Sequence, residues 1–78
     1  MARIIDSENK NLIGGNLKKL RTKLKLSQQD LSTKLELLGI YICRGSISRI
    51  EDYSRTVTDI ELLAIAEALG VDPKDLYL

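Results

Sequence analysis

Residues 26–51 read LSQQDLSTKLELLGIYICRGSISRIE, and two helices can be read out of them. Ser27 is a helix N-cap residue, and Asp30 follows at the spacing from which its carboxylate can bond back to the cap. Leu31, Leu35 and Leu38 then recur at helical spacing as a buried stripe, and Gly39 is a natural stop. This pattern predicts a helix over about 28–38. Ile40, Tyr41, Ile42 and Cys43 are apolar but too few for a helix, and the chain offers no second strand to pair with them. They read as a packed connection. A second helix is expected over about 45–53, with Ile47 and Ile50 facing inward and Ser46, Ser48 and Arg49 outside.

The flanks extend the same pattern. Leu17, Leu20 and Leu24 share one helical face, which Ile13 prolongs by a turn, while Lys18, Lys19, Arg21, Lys23 and Lys25 fill the rest of the circumference. A helix over about 12–24 follows. No strand precedes Gly14-Gly15, so the pair is no phosphate loop; it lets this helix start close to a neighbour. Downstream, Thr58 and Glu61 form a capping-box pair, with Asp59 near the positive helix end. Leu62, Ile65, Ala66 and Leu69 supply the stripe and Gly70 the stop of a helix over about 59–69. Asp72-Pro73 restarts the chain for a short fifth helix over about 73–77, carrying Leu76 inward. Residues 1–11 read as a polar N-terminal arm and 12–78 as one compact all-α domain of five helices.

Composition narrows the chemistry. The 78 residues contain no His and one cysteine, Cys43, so neither a disulfide framework nor a zinc site is available. Cys43 reads as a small apolar filler of the connection, and nothing in the sequence marks its pKa as lowered. No catalytic constellation is present and no cofactor, metal or small-molecule ligand is expected, so the chain does not read as an enzyme. No apolar stretch approaches a membrane span, and a reducing cytoplasm is the expected setting. The net charge of +1 hides a division: residues 1–55 carry eleven Lys/Arg against six Asp/Glu, and residues 56–78 carry one against five. A basic front and an acidic back suit a domain that turns one face to a polyanion, although small numbers alone could produce the split.

Two short helices joined by a connection, the second with an exposed polar face, have the shape of a helix-turn-helix unit. Leu20-Arg21, LSQQDL over 26–31, ISRIE over 47–51 and the run from Leu62 to Val71, in this order, resemble the lambda-repressor-like (Cro/repressor, XRE-type) helix-turn-helix family. The resemblance covers about residues 12–77. It departs in two places. The connection through Glu36–Cys43 is about five residues longer than the tight turn of most members, and Asp52-Tyr53 stands where Asn-Gly is usual.

The resemblance implies double-stranded DNA binding, with the recognition helix at about 45–53 in the major groove. It places Arg44, Gly45, Ser48 and Arg49 toward base edges, where arginine suits guanine O6 and N7, and Gly45 permits close backbone approach. Gln28, assisted by Gln29, falls where members contact a phosphate, at a helix end that attracts anions. Ser46, Ser54, Arg55 and Thr56 are further candidates for the DNA backbone. The Tyr53 hydroxyl either reaches a phosphate or packs on the turn. Arg21 and Glu51 fall where members form an ion pair between the first and third helices.

A prokaryotic or phage transcription regulator, acting as a repressor and a homodimer, is the expected function. Leu63, Leu76, Tyr77 and Leu78 are the candidate dimer contacts, although most could equally complete the core. The competing reading is a protein-interaction module, or an antitoxin-like regulator, built on the same fold.

Overall fold

Four of the five helical starts among the described residues have a side-chain oxygen in place of the missing backbone acceptors, and every α-helix ends where one residue turns left-handed. In the computed structural model, which describes residues 8–78, four α-helices follow one another: α1 (Gly14–Lys23), α2 (Gln28–Leu37), α3 (Arg44–Glu51) and α4 (Asp59–Leu69). A one-turn 3-10 helix, Pro73–Leu76, takes the place of the expected fifth α-helix. Its length explains the difference: four residues close i→i+3 bonds but too few i→i+4 bonds to sustain an α-helix. The N-terminal arm falls largely outside the described residues.

Three starts carry reciprocal capping boxes, Ser27 with Asp30, Thr58 with Glu61 and Asp72 with Asp75. α3 starts at Cys43 without a side-chain cap, and α1 is capped by Asn11, two residues before its N-cap Ile13. Asn11 Oδ1 accepts the Ile13 and Gly14 N–H groups at 3.0 and 2.8 Å, while its Nδ2 donates to the carbonyls of Ile50 and Arg55 at 3.0 and 2.9 Å. One amide thereby ties the start of α1 to the end of α3 and the loop beyond it.

All four α-helices end in the same closure, through left-handed residues Lys25, Gly39, Tyr53 and Gly70. At each, that residue's N–H bonds three residues back and the next N–H five back; Lys25 to Thr22 and Leu26 to Arg21 show the pattern. Ends set this way shorten the expected helices. α1 stops at Lys23 and leaves Leu24 48% exposed, off the buried face, and α2 stops at Leu37 and leaves Leu38 43% exposed. α3 begins one residue earlier than expected and ends two earlier.

The core is aliphatic. Ile13, Leu17, Leu31, Leu35, Ile42, Ile47, Ile50, Ile65, Leu69 and Leu76 are buried, closed by Ala64 and Ala66. Burying each such side chain contributes roughly 1.5–3 kcal/mol. α3 packs on both α1 and α2, α4 on α2, and the 3-10 helix bridges α4 and α1. Ile42 enters the core from the α2–α3 connection, and the buried Ser32 hydroxyl donates to its carbonyl at 2.8 Å. Tyr41 beside it is 76% exposed. Leu76 is fully buried, which removes it from the candidate dimer contacts and assigns it to the core.

Candidate nucleic-acid interface

α3 divides cleanly by face. Ile47, Ile50 and Glu51 are buried, whereas Arg44, Gly45, Ser48 and Arg49 are exposed. The pairs Arg44/Ser48 and Gly45/Arg49 are four residues apart, so all four share one stripe opposite the core. Long helical side chains lean toward the N-terminus. Arg49 does so: its Nη2 donates to Ser46 Oγ at 3.1 Å, and its Nη1 would lie 3.7 Å from a Cβ placed on Gly45. The glycine leaves that turn open, and the guanidinium is drawn over it. Arg44 makes no side-chain bond among the described residues, so neither Glu36 nor Asp52, the nearby carboxylates along the chain, holds it.

Cys43 is the N-cap residue of α3, and its thiol lies 3.4 Å from the Ser46 hydroxyl. Hydrogen bonding to the Ser46 side chain, then to backbone at Ser46 and Gly45, with the Arg49 charge adding, holds its pKa below the ordinary 9.0. The sequence carried no sign of this, because it arises from a helix end and a bond three residues along.

The start of α2 is organised by a buried carboxylate. Glu51, only 8% exposed, accepts Arg21 Nε at 2.7 Å through Oε2, and Arg21 Nη2 at 3.1 Å through Oε1. Arg21 Nη1 also donates to the Leu26 carbonyl at 2.7 Å, fixing the residue before the Ser27 cap. The Glu51 hydrogen bond raises the already high Arg21 pKa. Gln28 Nε2 donates to Glu51 Oε1 at 3.0 Å, a bond that sequence spacing could not reveal across 23 residues. Gln29 is exposed and has no such tether.

Beyond α3 the candidates separate. The Tyr53 hydroxyl accepts the Gly15 N–H at 3.0 Å, and its carbonyl accepts the Lys10 N–H at 2.9 Å. Arg55 is half-buried and forks onto Glu61, Nη2 to Oε2 at 2.9 Å and Nη1 to Oε1 at 3.2 Å, so its charge is matched within the chain. That bond chiefly lowers the Glu61 pKa from its ordinary 4.5. Ser54 is exposed and closes the end of α3, its hydroxyl 3.3 Å from the Arg49 carbonyl. Thr56 is exposed. Ser46 is half-buried between Cys43 and Arg49.

Asn11 carries no role in the sequence reading, where it closes the N-terminal arm, although Asn before a helix is a capping signal. Among the described residues no cluster of His, Cys, Asp or Glu could hold a metal ion, and no helix is long and apolar enough to cross a membrane.

Known proteins share this arrangement. The family model described as helix-turn-helix matches residues 17–76. The crystal structure of the restriction-modification controller protein C.AhdI from Aeromonas hydrophila is similar with a TM-score of 0.73 and 30% identity, over 82% of this chain and 86% of that one. The DNA-binding domain of BldD is similar with a TM-score of 0.73 and 25% identity, over 92% and 97%. A hypothetical transcription factor, NHTF from Neisseria, shares the fold with a TM-score of 0.75 at 22% identity, over 100% and 85%. No curated protein sequence matches the chain closely enough to count as a relative. With its capped helix pair, its buried Arg21–Glu51 joint and a family match over most of its length, the chain belongs to the lambda-repressor-like (XRE-type) helix-turn-helix family.

Proposed function

We propose that the protein is a DNA-binding transcription regulator, a repressor, that reads double-stranded DNA with α3 in the major groove. The observation that carries this reading is the exposed stripe of Arg44, Gly45, Ser48 and Arg49 on a helix whose other face is locked into the core. Arg44 and Arg49 supply the forked donors suited to guanine, and Ser48 a hydroxyl that donates or accepts. The N–H groups of Gln28 and Gln29, at the first positions of α2, have no acceptor within the helix and suit a phosphate. Ser54 and Thr56 extend the backbone contacts on the far side of α3, with Ser46 beside Arg49. Arg55 and Tyr53 shape that loop from within.

A homodimer on a two-fold site completes the proposal. Ile60 and Leu63 on α4, with Tyr77 and Leu78 after the 3-10 helix, are between 54% and 85% exposed, and large exposed apolar groups of this kind mark association surfaces. The names of the similar proteins, a controller protein and a DNA-binding domain, support the same activity.

Selection from a pool of random duplexes, with sequencing of the bound fraction, tests the reading. An enriched inverted repeat is expected. Binding should also weaken as salt rises, by about 0.9 log units per log of salt for each phosphate neutralised. The absence of both enrichment and salt-sensitive retention would overturn DNA binding and leave a protein-interaction module.

A further inference from the structure

Gln28 is the one side chain at the start of α2 that the core holds. Its partner is a carboxylate, so the orientation of the amide is settled by chemistry: only Nε2 can face Glu51 Oε1, because Gln28 Oε1 would meet another acceptor. One N–H of that group is spent on Glu51, and the second N–H and the amide oxygen remain. A carboxylate is an unusual support beside a site for a polyanion, since its own charge would repel the phosphate. Here the charge is matched, because Arg21 binds both carboxylate oxygens at 2.7 and 3.1 Å. The same guanidinium holds the Leu26 carbonyl, so the backbone before the Ser27 cap and the side chain after it are fixed by one buried pair.

We propose that Glu51 is a positioning residue for DNA binding: neutralised by Arg21, it holds the Gln28 amide in one orientation, so that its free N–H is set toward a phosphate before DNA arrives. This rests on the DNA-binding reading above. A free glutamine side chain gives up rotamer freedom when it binds, and a tethered one has lost it on folding. Gln29, next along the chain, is exposed and has no tether, which makes it an internal control.

Two measurements decide the matter. The first is side-chain amide dynamics by nitrogen-15 NMR on the wild-type protein. The Gln28 amide should be ordered and the Gln29 amide mobile; equal mobility overturns the proposal. The second is a double-mutant cycle with Gln28→Ala and Glu51→Gln, measured as affinity for the duplex enriched by selection, at a temperature where each variant is shown folded by circular dichroism. Gln28→Ala should weaken binding about fivefold without altering base preference. Glu51→Gln should weaken it by a similar factor alone, and by nothing further once Gln28 is gone. An equal loss in both backgrounds means that Glu51 acts only through the fold, which overturns the proposal. So does a Gln28→Ala variant that binds as wild type. Wild-type protein that binds no duplex at all overturns instead the reading on which the proposal rests.

Discussion

The Glu51 carboxylate and the Arg21 guanidinium meet in two hydrogen bonds, 2.7 and 3.1 Å long, that join the last residue of α3 to the closing turn of α1. Side-chain exposures of 12% for Arg21 and 4% for Glu51 put the pair at the inner edge of the core. A buried pair adds little net stability, but removing one partner strands the other charge. Glu51→Ala should therefore destabilise the domain by about 3–5 kcal/mol. Thermal melting checks this, and an unchanged melting temperature would show that the pair does not hold α1 to α3.

Gly14 is where α1 and α3 touch backbone to backbone. A Cβ there would collide with the Ile50 carbonyl oxygen, an atom that cannot move without moving α3. Gly14→Ala is expected to cost about 1–3 kcal/mol, in the range of overpacked cores. Gly45→Ala meets nothing closer than the end of Arg49, at 3.7 Å, and should melt no lower than wild type. Denaturant titration of the two variants side by side distinguishes them, and equal midpoints would count against the close approach.

Lys25 adopts φ +59 to close α1, a conformation costing a side-chain-bearing residue roughly 1–2 kcal/mol. It is exposed, and its side chain makes no bond among the described residues. Lys25→Gly should raise stability by up to about 1 kcal/mol, once the greater freedom of glycine in the unfolded chain is subtracted. Tyr53, at φ +68, should not gain in the same way, because its hydroxyl holds the Gly15 N–H. Melting temperatures that move in the same upward direction for Lys25→Gly and Tyr53→Gly would contradict this account.

Arg49 leans over the open turn at Gly45. Its loss should remove a base contact and, within the fold, only an exposed bond to Ser46. Arg49→Ala is expected to keep its melting temperature, to lose about 1–3 kcal/mol of binding to the selected duplex, and to relax preference at one position of each half-site. Repeating the selection with the variant reads this directly. An unchanged enriched sequence would remove Arg49 from the base-reading set.

Acid should loosen the loop after α3. The folded Glu61 pKa is depressed, chiefly by hydrogen bonds from Arg55, so its contribution is complete above the ordinary value of 4.5 and is lost as pH falls toward the folded value. Asp30 is depressed likewise by the Ser27 cap and adds to the same loss. Stability should fall on acidification from about pH 5, and less steeply in Glu61→Gln. Urea midpoints across that range supply the check; identical slopes for variant and wild type would rule Glu61 out as a source of the acid sensitivity.

The local signals in the sequence were read accurately where they depend on neighbours along the chain. Ser27 with Asp30, Thr58 with Glu61, and Gly39 and Gly70 marked helix boundaries because capping and left-handed closure are made within a few residues. The closures at Lys25 and Tyr53 escaped because neither residue prefers φ > 0, and the surrounding packing imposes it. Leu24 and Leu38 continue the leucine spacing but lie outside the core, because the chain has already turned there.

The sequence by itself determined the helices, the core stripe and the exposed face of α3, since each follows from periodicity and caps, which are local. Only the tertiary structure decided which polar side chains are free. Gln28, Arg55 and Tyr53 look alike as candidate phosphate contacts, yet Glu51, Glu61 and the Gly15 N–H, lying 23, 6 and 38 residues away, engage each of them. Hydrogen bonds between elements depend on where packing places their ends. Spacing along the chain carries no record of that.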